Sequence, residues 1–219
     1  MKFFALIPAR GGSKSIPRKN LALIGDKPLI FYILETAKNS NIDRVFVSTE
    51  DSEIKEVASN LGVEVIDRPK ELSTNKTPTL PVLQHFLKDL RLKGVDLDYL
   101  VLLYPTSPLL TVETLNKAVD AIKNTKKKSL LSIVEDTRNF KIWEKRGNKF
   151  VPKFKRVNRQ YVPKVYRENG TVYIAHKDLI EQGKLVDKDP IFLLMREEES
   201  IDIDTPFQLR LVKLLLKDK

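Results

Sequence analysis

Short apolar runs alternate along this chain with stretches whose apolar residues recur at helical spacing. The runs at 2–8, 43–48, 63–66, 98–103 and 129–134 read as strands, several of them nearly continuous in apolar or β-branched residues, as expected when both sheet faces are covered. Between them, residues 28–39, 51–61, 78–92 and 111–123 carry the helical period, as in Leu80, Leu83, Leu87 and Leu90. Pro28 and Pro78 suit helix starts, and Thr111 serves as an N-cap with Glu113 in the turn that follows. This alternation predicts right-handed crossovers and a three-layer α/β fold around a mostly parallel sheet. Ligands of such sheets sit beyond the carboxyl ends of the strands, where the segment from Ala9 to Asn20 emerges.

After about residue 136 the pattern changes. Phe140 to Lys145, a turn at Arg146-Gly147-Asn148, and Lys149-Phe150-Val151 predict a hairpin, followed by an irregular basic stretch over 154–165. A hairpin this small has little core of its own, so Trp143 and Phe150 need another surface, either their own subunit or a second copy. Strands are expected again at 171–175, 191–195 and 200–203. Thr205-Pro206 then opens a terminal helix to about 217, with Leu209, Val212 and Leu216 as its buried stripe. No repeat or linker interrupts the chain, and 219 residues suit one domain with a projecting segment at about 136–168.

Composition narrows the chemistry. Without cysteine there is no disulfide, no thiolate nucleophile and no sulfur-bound metal. His85 and His176 are too few for a histidine cluster, so any metal must be held by oxygen. No run approaches the roughly 20 apolar residues of a membrane span, and Met1-Lys2-Phe3-Phe4 leads into Pro8 and Arg10 instead of a cleavable apolar leader. A cytoplasmic protein with no membrane partner is expected. The net charge of +10 invites a nucleic-acid reading, but the cations are scattered. The densest run, Lys123 to Lys128, falls where a helix ends and its dipole welcomes positive charge. With no aromatic-rich strand beside it, the charge is read as a solvated surface that also draws in anionic substrates, and no nucleic-acid partner is expected.

Two segments carry candidate chemistry. In Ile7-Pro8-Ala9-Arg10-Gly11-Gly12-Ser13-Lys14-Ser15-Ile16-Pro17-Arg18-Lys19-Asn20, a strand ends in small residues and cations. Gly11 and Gly12 allow a backbone with φ > 0 whose N–H groups converge on an anion, and Arg10, Lys14, Arg18 and Lys19 add full charges. The alternative is a solvated surface turn; neither the P-loop nor the dinucleotide fingerprint is matched. Near the other terminus, Asp202 and Asp204 alternate with Ile201 and Ile203, which on a strand places both carboxylates on one face. Paired hard oxygen donors suit Mg2+ completed by water and phosphate, the alternative being an edge strand with solvated acids.

The N-terminal stretch, together with Arg68-Pro69, Pro105-Thr106-Ser107-Pro108, Arg159-Gln160, Glu168-Asn169-Gly170 and Ser200-Ile201-Asp202-Ile203-Asp204-Thr205, resembles the acylneuraminate cytidylyltransferases, the CMP-sialic acid synthetase family. The resemblance runs in order over nearly the whole length. It implies a Rossmann-like nucleotidyltransferase fold, a Mg2+-dependent transfer of CMP from CTP to a nonulosonic acid, and a homodimer formed by the projecting hairpin. By resemblance, Arg10 and Lys19 contact the triphosphate, and Ala9, Gly11, Gly12, Ser13, Lys14 and Asn20 complete the nucleotide cradle. Arg68 reads the cytosine while Thr77 and Thr79 cap it, and Asp202 and Asp204 hold the metal. Tyr104, Arg159, Gln160, Arg167 and Asn169 fall at the sugar acid, although the two arginines equally suit a dimer surface. Tyr104 and Leu110 stand where the family has glutamine and arginine, and Ser15 replaces a common glycine. An amide exchanged for a phenol alters which sugar substituents fit, leaving sialic, legionaminic and pseudaminic acid types open. Two other readings stay open: a cytidylyltransferase for an eight-carbon sugar acid, and a non-catalytic phosphate- or nucleic-acid-binding protein on the same fold.

Overall fold

The computed structural model describes residues 1–136, 142–155, 158, 161 and 163–217. From the N-terminus, β1 (Phe3–Pro8) leads through a loop to the small ribbon β2 (Leu23–Ile24) and β3 (Lys27–Pro28), then to α1 (Leu29–Lys38). There follow β4 (Arg44–Thr49), α2 (Ser52–Asn60), β5 (Glu64–Asp67), α3 (Thr79–Leu92), β6 (Tyr99–Leu103), α4 (Val112–Thr125) and β7 (Ser129–Glu135). The hairpin β8 (Trp143–Arg146) and β9 (Lys149–Pro152) precedes the long β10 (Tyr166–His176), and α5 (Lys177–Glu181), β11 (Ile191–Leu194) and α6 (Pro206–Lys217) finish the chain.

One sheet has the order β11-β7-β10-β6-β1-β4-β5. All its neighbouring pairs are parallel except those of β10, which runs against both β6 and β7. Alternation along β1 splits the core into two layers. Phe3, Ala5 and Ile7 pack with α1, α2 and α4, whereas Phe4 and Leu6 pack with α3 and α5 around Phe46 and Phe86. A third cluster joins Ile16 and Ile24 to Leu109, Ile203 and Val212, so the loop after β1 and the segment before α6 share one small apolar core. That cluster, remote in sequence, brings the chain's two ends together.

The main helices and strands lie within two residues of the periodicity-based expectation. The later part departs from it. β10 begins at Tyr166, five residues ahead of the expected 171, and its register with β7 shifts between Glu168 and Tyr173, with Gly170 at φ +73. This bulge bends the strand, which is why alternation did not reveal its first half. Residues 200–203 are not a strand. A 3₁₀ turn covers Glu198–Ser200, and the extended residues after it pair with no strand of the sheet. The Ile203 N–H instead donates to the Thr106 carbonyl at 2.9 Å, so the alternation of apolar and acidic residues reflects packing on the third cluster.

The hairpin forms at β8–β9 and, among the described residues, pairs only with itself, leaving Trp143 and Phe150 exposed. Phe140 lies outside the described residues. No helix among the described residues is long and apolar enough to cross a membrane.

Candidate active site

The loop after β1 turns where the carboxyl ends of β1, β4 and β6 converge. Ala9 is buried and its N–H is taken by the Ser48 carbonyl at 3.0 Å, so it anchors the loop and has no free donor. Gly11 and Gly12 do not adopt positive φ, contrary to expectation; in this loop that conformation falls on Arg18, at φ 49. Gly11 is required for a different reason. A Cβ there would meet Asp51 Oδ2 at 2.1 Å and its Cγ at 2.9 Å. Ser15 is not at positive φ either, so its replacement of a glycine is tolerated.

Of the four loop cations, Arg10, Lys14 and Lys19 line a cavity of about 420 Å3, together with Gly12, Ser13, Asn20, Arg68, Thr77, Thr79, Tyr104 and Asp204. Arg18 points elsewhere: it pairs at 3.0 Å with Asp51, the N-cap of α2, and at 2.9 Å with Glu53. The Asn20 side chain donates to the Arg10 carbonyl at 2.9 Å and fixes the loop's width. Lys19 Nζ donates to the Ile203 carbonyl at 2.6 Å and stands 3.2 Å from Asp204 Oδ1, which ties the N-terminal loop to the acidic segment.

Arg68, at the end of β5, is 7% exposed. Burial pushes its guanidinium down from its ordinary value, Glu50 opposes that, and nearby Arg10 adds to it. Thr77 is held by Thr74 at 2.7 Å and by the Glu71 carbonyl at 3.1 Å, which shapes the rim of the cavity beside Arg68. Thr79 Oγ1 lies 3.0 Å from the Tyr104 hydroxyl.

Tyr104 stands between this cavity and a second one of about 370 Å3, lined also by Thr106, Glu168, Gly170, Tyr173, Leu185, Val186 and Asp202. Burial pushes the Tyr104 phenol up, the Thr79 bond opposes the shift, and the Asp202 charge adds to it. The Tyr173 hydroxyl donates to Glu168 at 3.1 Å. Its phenol is pushed well above its ordinary value by burial and by the Glu168 charge. A larger groove of about 960 Å3 continues past Arg167 and Asp202 toward Phe207 and Leu211 of α6.

Asp202 and Asp204 meet in this region without the strand expected to present them. Burial pushes the Asp202 carboxyl up, a bond from Thr106 lowers it, the Asp204 charge raises it and Lys19 lowers it. Asp202 Oδ1 is buried without a hydrogen-bond partner, a costly state that a cation would relieve. No group of three His, Cys, Asp or Glu side chains forms a metal cage among the described residues. Two carboxylates beside a cationic cavity fit Mg2+, which keeps waters and takes the rest of its shell from phosphate.

Three expected sugar contacts stand differently. Arg159 and Gln160 lie outside the described residues. Asn169, expected at the sugar acid, lines the large groove, while its buried amide accepts from Ser132 and from the Thr171 N–H at 3.2 Å and donates to Ser200 at 2.8 Å. With both ends engaged, it braces the bulge of β10 against the turn that precedes Asp202. Arg167 lines the large groove and lies 3.4 Å from Asp136. Leu110 is buried in the core, which accounts for its apolar character at a position where an arginine was the family expectation.

Sequence reasoning missed Glu50, Glu168 and Tyr173 as members of the site. Glu50 directly follows the buried pair Ser48-Thr49 at the carboxyl end of β4, a position that could have flagged it. The other two were hidden by the bulge. Neither histidine lines these cavities: His85 sits within α3 and His176 caps α5.

A family model described as Cytidylyltransferase matches residues 4–216. The N-acylneuraminate cytidylyltransferase A of Danio rerio is 35% identical over 209 residues, 91% of this chain and 47% of that protein. The chain therefore spans about half the length of that relative. A pseudaminic acid cytidylyltransferase of Campylobacter jejuni is 33% identical over 99% of this chain and 97% of its own length. A CMP-N,N'-diacetyllegionaminic acid synthase of Legionella pneumophila is likewise 33% identical with the same coverage. Among solved structures, a CMP:2-keto-3-deoxy-manno-octonic acid synthetase complexed with CTP superposes with a TM-score of 0.75 at 15% identity, covering 100% of this chain and 99% of that one. A cytidylyltransferase from Leptospira borgpetersenii gives 0.66 at 19% identity over 100% of this chain and 88% of that one. These structures share the fold.

Proposed function

Because this chain belongs to the cytidylyltransferase family, we propose that it transfers CMP from CTP to the 2-hydroxyl of a nonulosonic, sialic-acid-like sugar acid and releases pyrophosphate. The observation that carries this reading is the bridge from Lys19 Nζ to the Ile203 carbonyl at 2.6 Å and to Asp204 at 3.2 Å, which joins cations and carboxylates at one cavity. Attack of the hydroxyl on the α-phosphorus builds charge on the non-bridging oxygens and on the leaving pyrophosphate. Fixed cations aimed at that charge do the work of catalysis. Arg10, Lys14 and Lys19, which line the cavity, would bind the triphosphate, with Ser13 and Asn20 shaping the loop. Arg68, Thr77 and Thr79 border the end of the cavity assigned to the base.

The acid is assigned to the other side of Tyr104, in the cavity walled by Glu168, Tyr173 and Asp202. Asp202 and Asp204 would hold Mg2+, which when bound neutralises phosphate charge and acidifies a nearby hydroxyl. Arg167, facing the adjoining groove, supplies a cation for a carboxylate. The exposed Trp143 and Phe150 of β8–β9 support a homodimer in which a second copy covers them. The cysteine-free composition suits a cytoplasmic enzyme.

The test is pyrophosphate release from CTP in the presence of Mg2+ across a panel of sialic, legionaminic and pseudaminic acids, with an eight-carbon 2-keto acid as comparison. Release with at least one nine-carbon acid is expected. No release with any of them, alongside strongly salt-dependent binding of polynucleotides, would replace this reading with the non-catalytic one.

A further inference from the structure

Glu50 follows β4 by one residue and does not line the nucleotide cavity, yet it touches two elements that do. Its Oε1 accepts the Gly11 N–H at 2.9 Å, and its Oε2 lies 3.4 Å from one terminal nitrogen of Arg68. Gly11 sits in the loop between Arg10 and Gly12, which both face the cavity, and Arg68 lines the same cavity. Arg68 Nε is buried without a hydrogen-bond partner. A donor left in this state is costly unless an acceptor arrives from the cavity side. Arg10 lies close enough to Arg68 for their charges to repel, and Glu50 supplies the carboxylate that offsets this. One side chain thus sets both the height of the cation loop and the edge that the guanidinium turns toward the cavity.

We propose that Glu50 is a positioning residue for nucleotide choice: by holding the Gly11 amide and one edge of Arg68 together, it aims the remaining guanidinium donors at the pyrimidine. The proposal rests on the reading that this cavity takes CTP. Cytosine presents two adjacent acceptors, O2 and N3, to such donors, whereas uracil presents O2 beside an N3–H that repels them. A guanidinium held in one orientation therefore separates CTP from UTP, and one free to turn does not. Glu50→Gln keeps the shape but gives up one of the two contacts whichever way its amide settles, because its NH2 cannot accept. Glu50→Ala gives up both.

Calorimetric titration with CTP and with UTP, in Mg2+ buffer and without any sugar acid, isolates this step from the chemistry. The wild-type chain is expected to prefer CTP. In Glu50→Gln the CTP affinity should fall about tenfold, the size of one charged hydrogen bond, while UTP binding changes little. Glu50→Ala should narrow the CTP-to-UTP ratio further. If both variants lose thermal stability but retain the wild-type ratio, Glu50 is merely structural and the proposal is overturned; Glu50→Gln, which preserves volume, decides the matter should Glu50→Ala not fold. A wild-type chain that binds CTP and UTP equally overturns it as well. One that binds neither refutes the nucleotidyltransferase reading itself.

Discussion

Gly11 and Gly12 are neighbours of the same type, and the structure predicts opposite outcomes on adding a methyl group to each. A Cβ at Gly11 would lie 2.1 Å from Asp51 Oδ2, 2.9 Å from its Cγ and 3.0 Å from its Cβ, while a Cβ at Gly12 would have no neighbour within 4 Å. Asp51 cannot simply swing away. Its Oδ1 accepts the Glu53 and Ile54 N–H groups at 3.1 Å each as the N-cap of α2, and Arg18 grips it at 3.0 Å. Displacing it forfeits a cap worth about 1 kcal/mol together with the Arg18 ion pair. Moving the loop instead breaks the Gly11–Glu50 bond, about 1.5–3 kcal/mol for a charged acceptor. Gly11→Ala should therefore cost about 1.5–3 kcal/mol, or roughly 3–12 °C in Tm for a chain of this size. Gly12→Ala, where φ is not positive, should stay within about 0.5 kcal/mol. Thermal and urea unfolding of both variants measures the difference. In an Asp51→Ala background the Gly11→Ala cost should shrink, because the clashing carboxylate is gone. Equal Tm values for the two alanine variants would refute the close-approach argument.

Other outcomes follow from the same geometry. Asp204→Asn should remove most pyrophosphate release while leaving the circular dichroism spectrum and Tm nearly unchanged, since Asp204 is exposed; wild-type turnover would dismiss the metal assignment. Burial acts to raise the Glu199 carboxyl, but bonds from Arg196, Thr114 and Thr111 outweigh it and hold the group below the usual carboxylate range. Its contribution to stability is present above the unfolded-state value and is lost as pH falls through the lowered one. Glu199→Gln should cost about 1.5–3 kcal/mol at neutral pH and weaken the acid-side decline in stability, as read by urea titrations across that range. Tyr104→Gln should reorder turnover across the acid panel, and an unchanged ranking would remove Tyr104 from selectivity. Replacing both Trp143 and Phe150 by Ser should convert the proposed homodimer to a monomer in sedimentation velocity with little loss of Tm, because among the described residues β8–β9 pairs only with itself.

Periodicity was a sound guide wherever strands lie straight in the sheet. β1, β4 and β6 read as largely apolar runs because residues of each pack into both core layers. It failed where side chains, not backbone ladders, decide the conformation. The bulge at Glu168–Tyr173 breaks the two-residue repeat of β10, so Glu168 and Tyr173 could not be assigned to a cavity. The Ser200–Asp204 segment imitates a strand because Ile203 is pinned into the third cluster while Asp202 faces the groove. The cation loop was legible from its residue types, yet composition could not foresee that Arg18 would be drawn off to Asp51, nor that Asn169 would be consumed as a brace. Both outcomes depend on partners far along the chain.

The contact between Lys19 and Ile203 spans 184 positions. A ribosome makes the chain from its N-terminus, so the cation loop emerges well before Ile203 and Asp204, and the Lys19 contacts form only once those residues have been made. Any truncation that removes Ile203 therefore also removes the acceptor that holds Lys19 at the cavity.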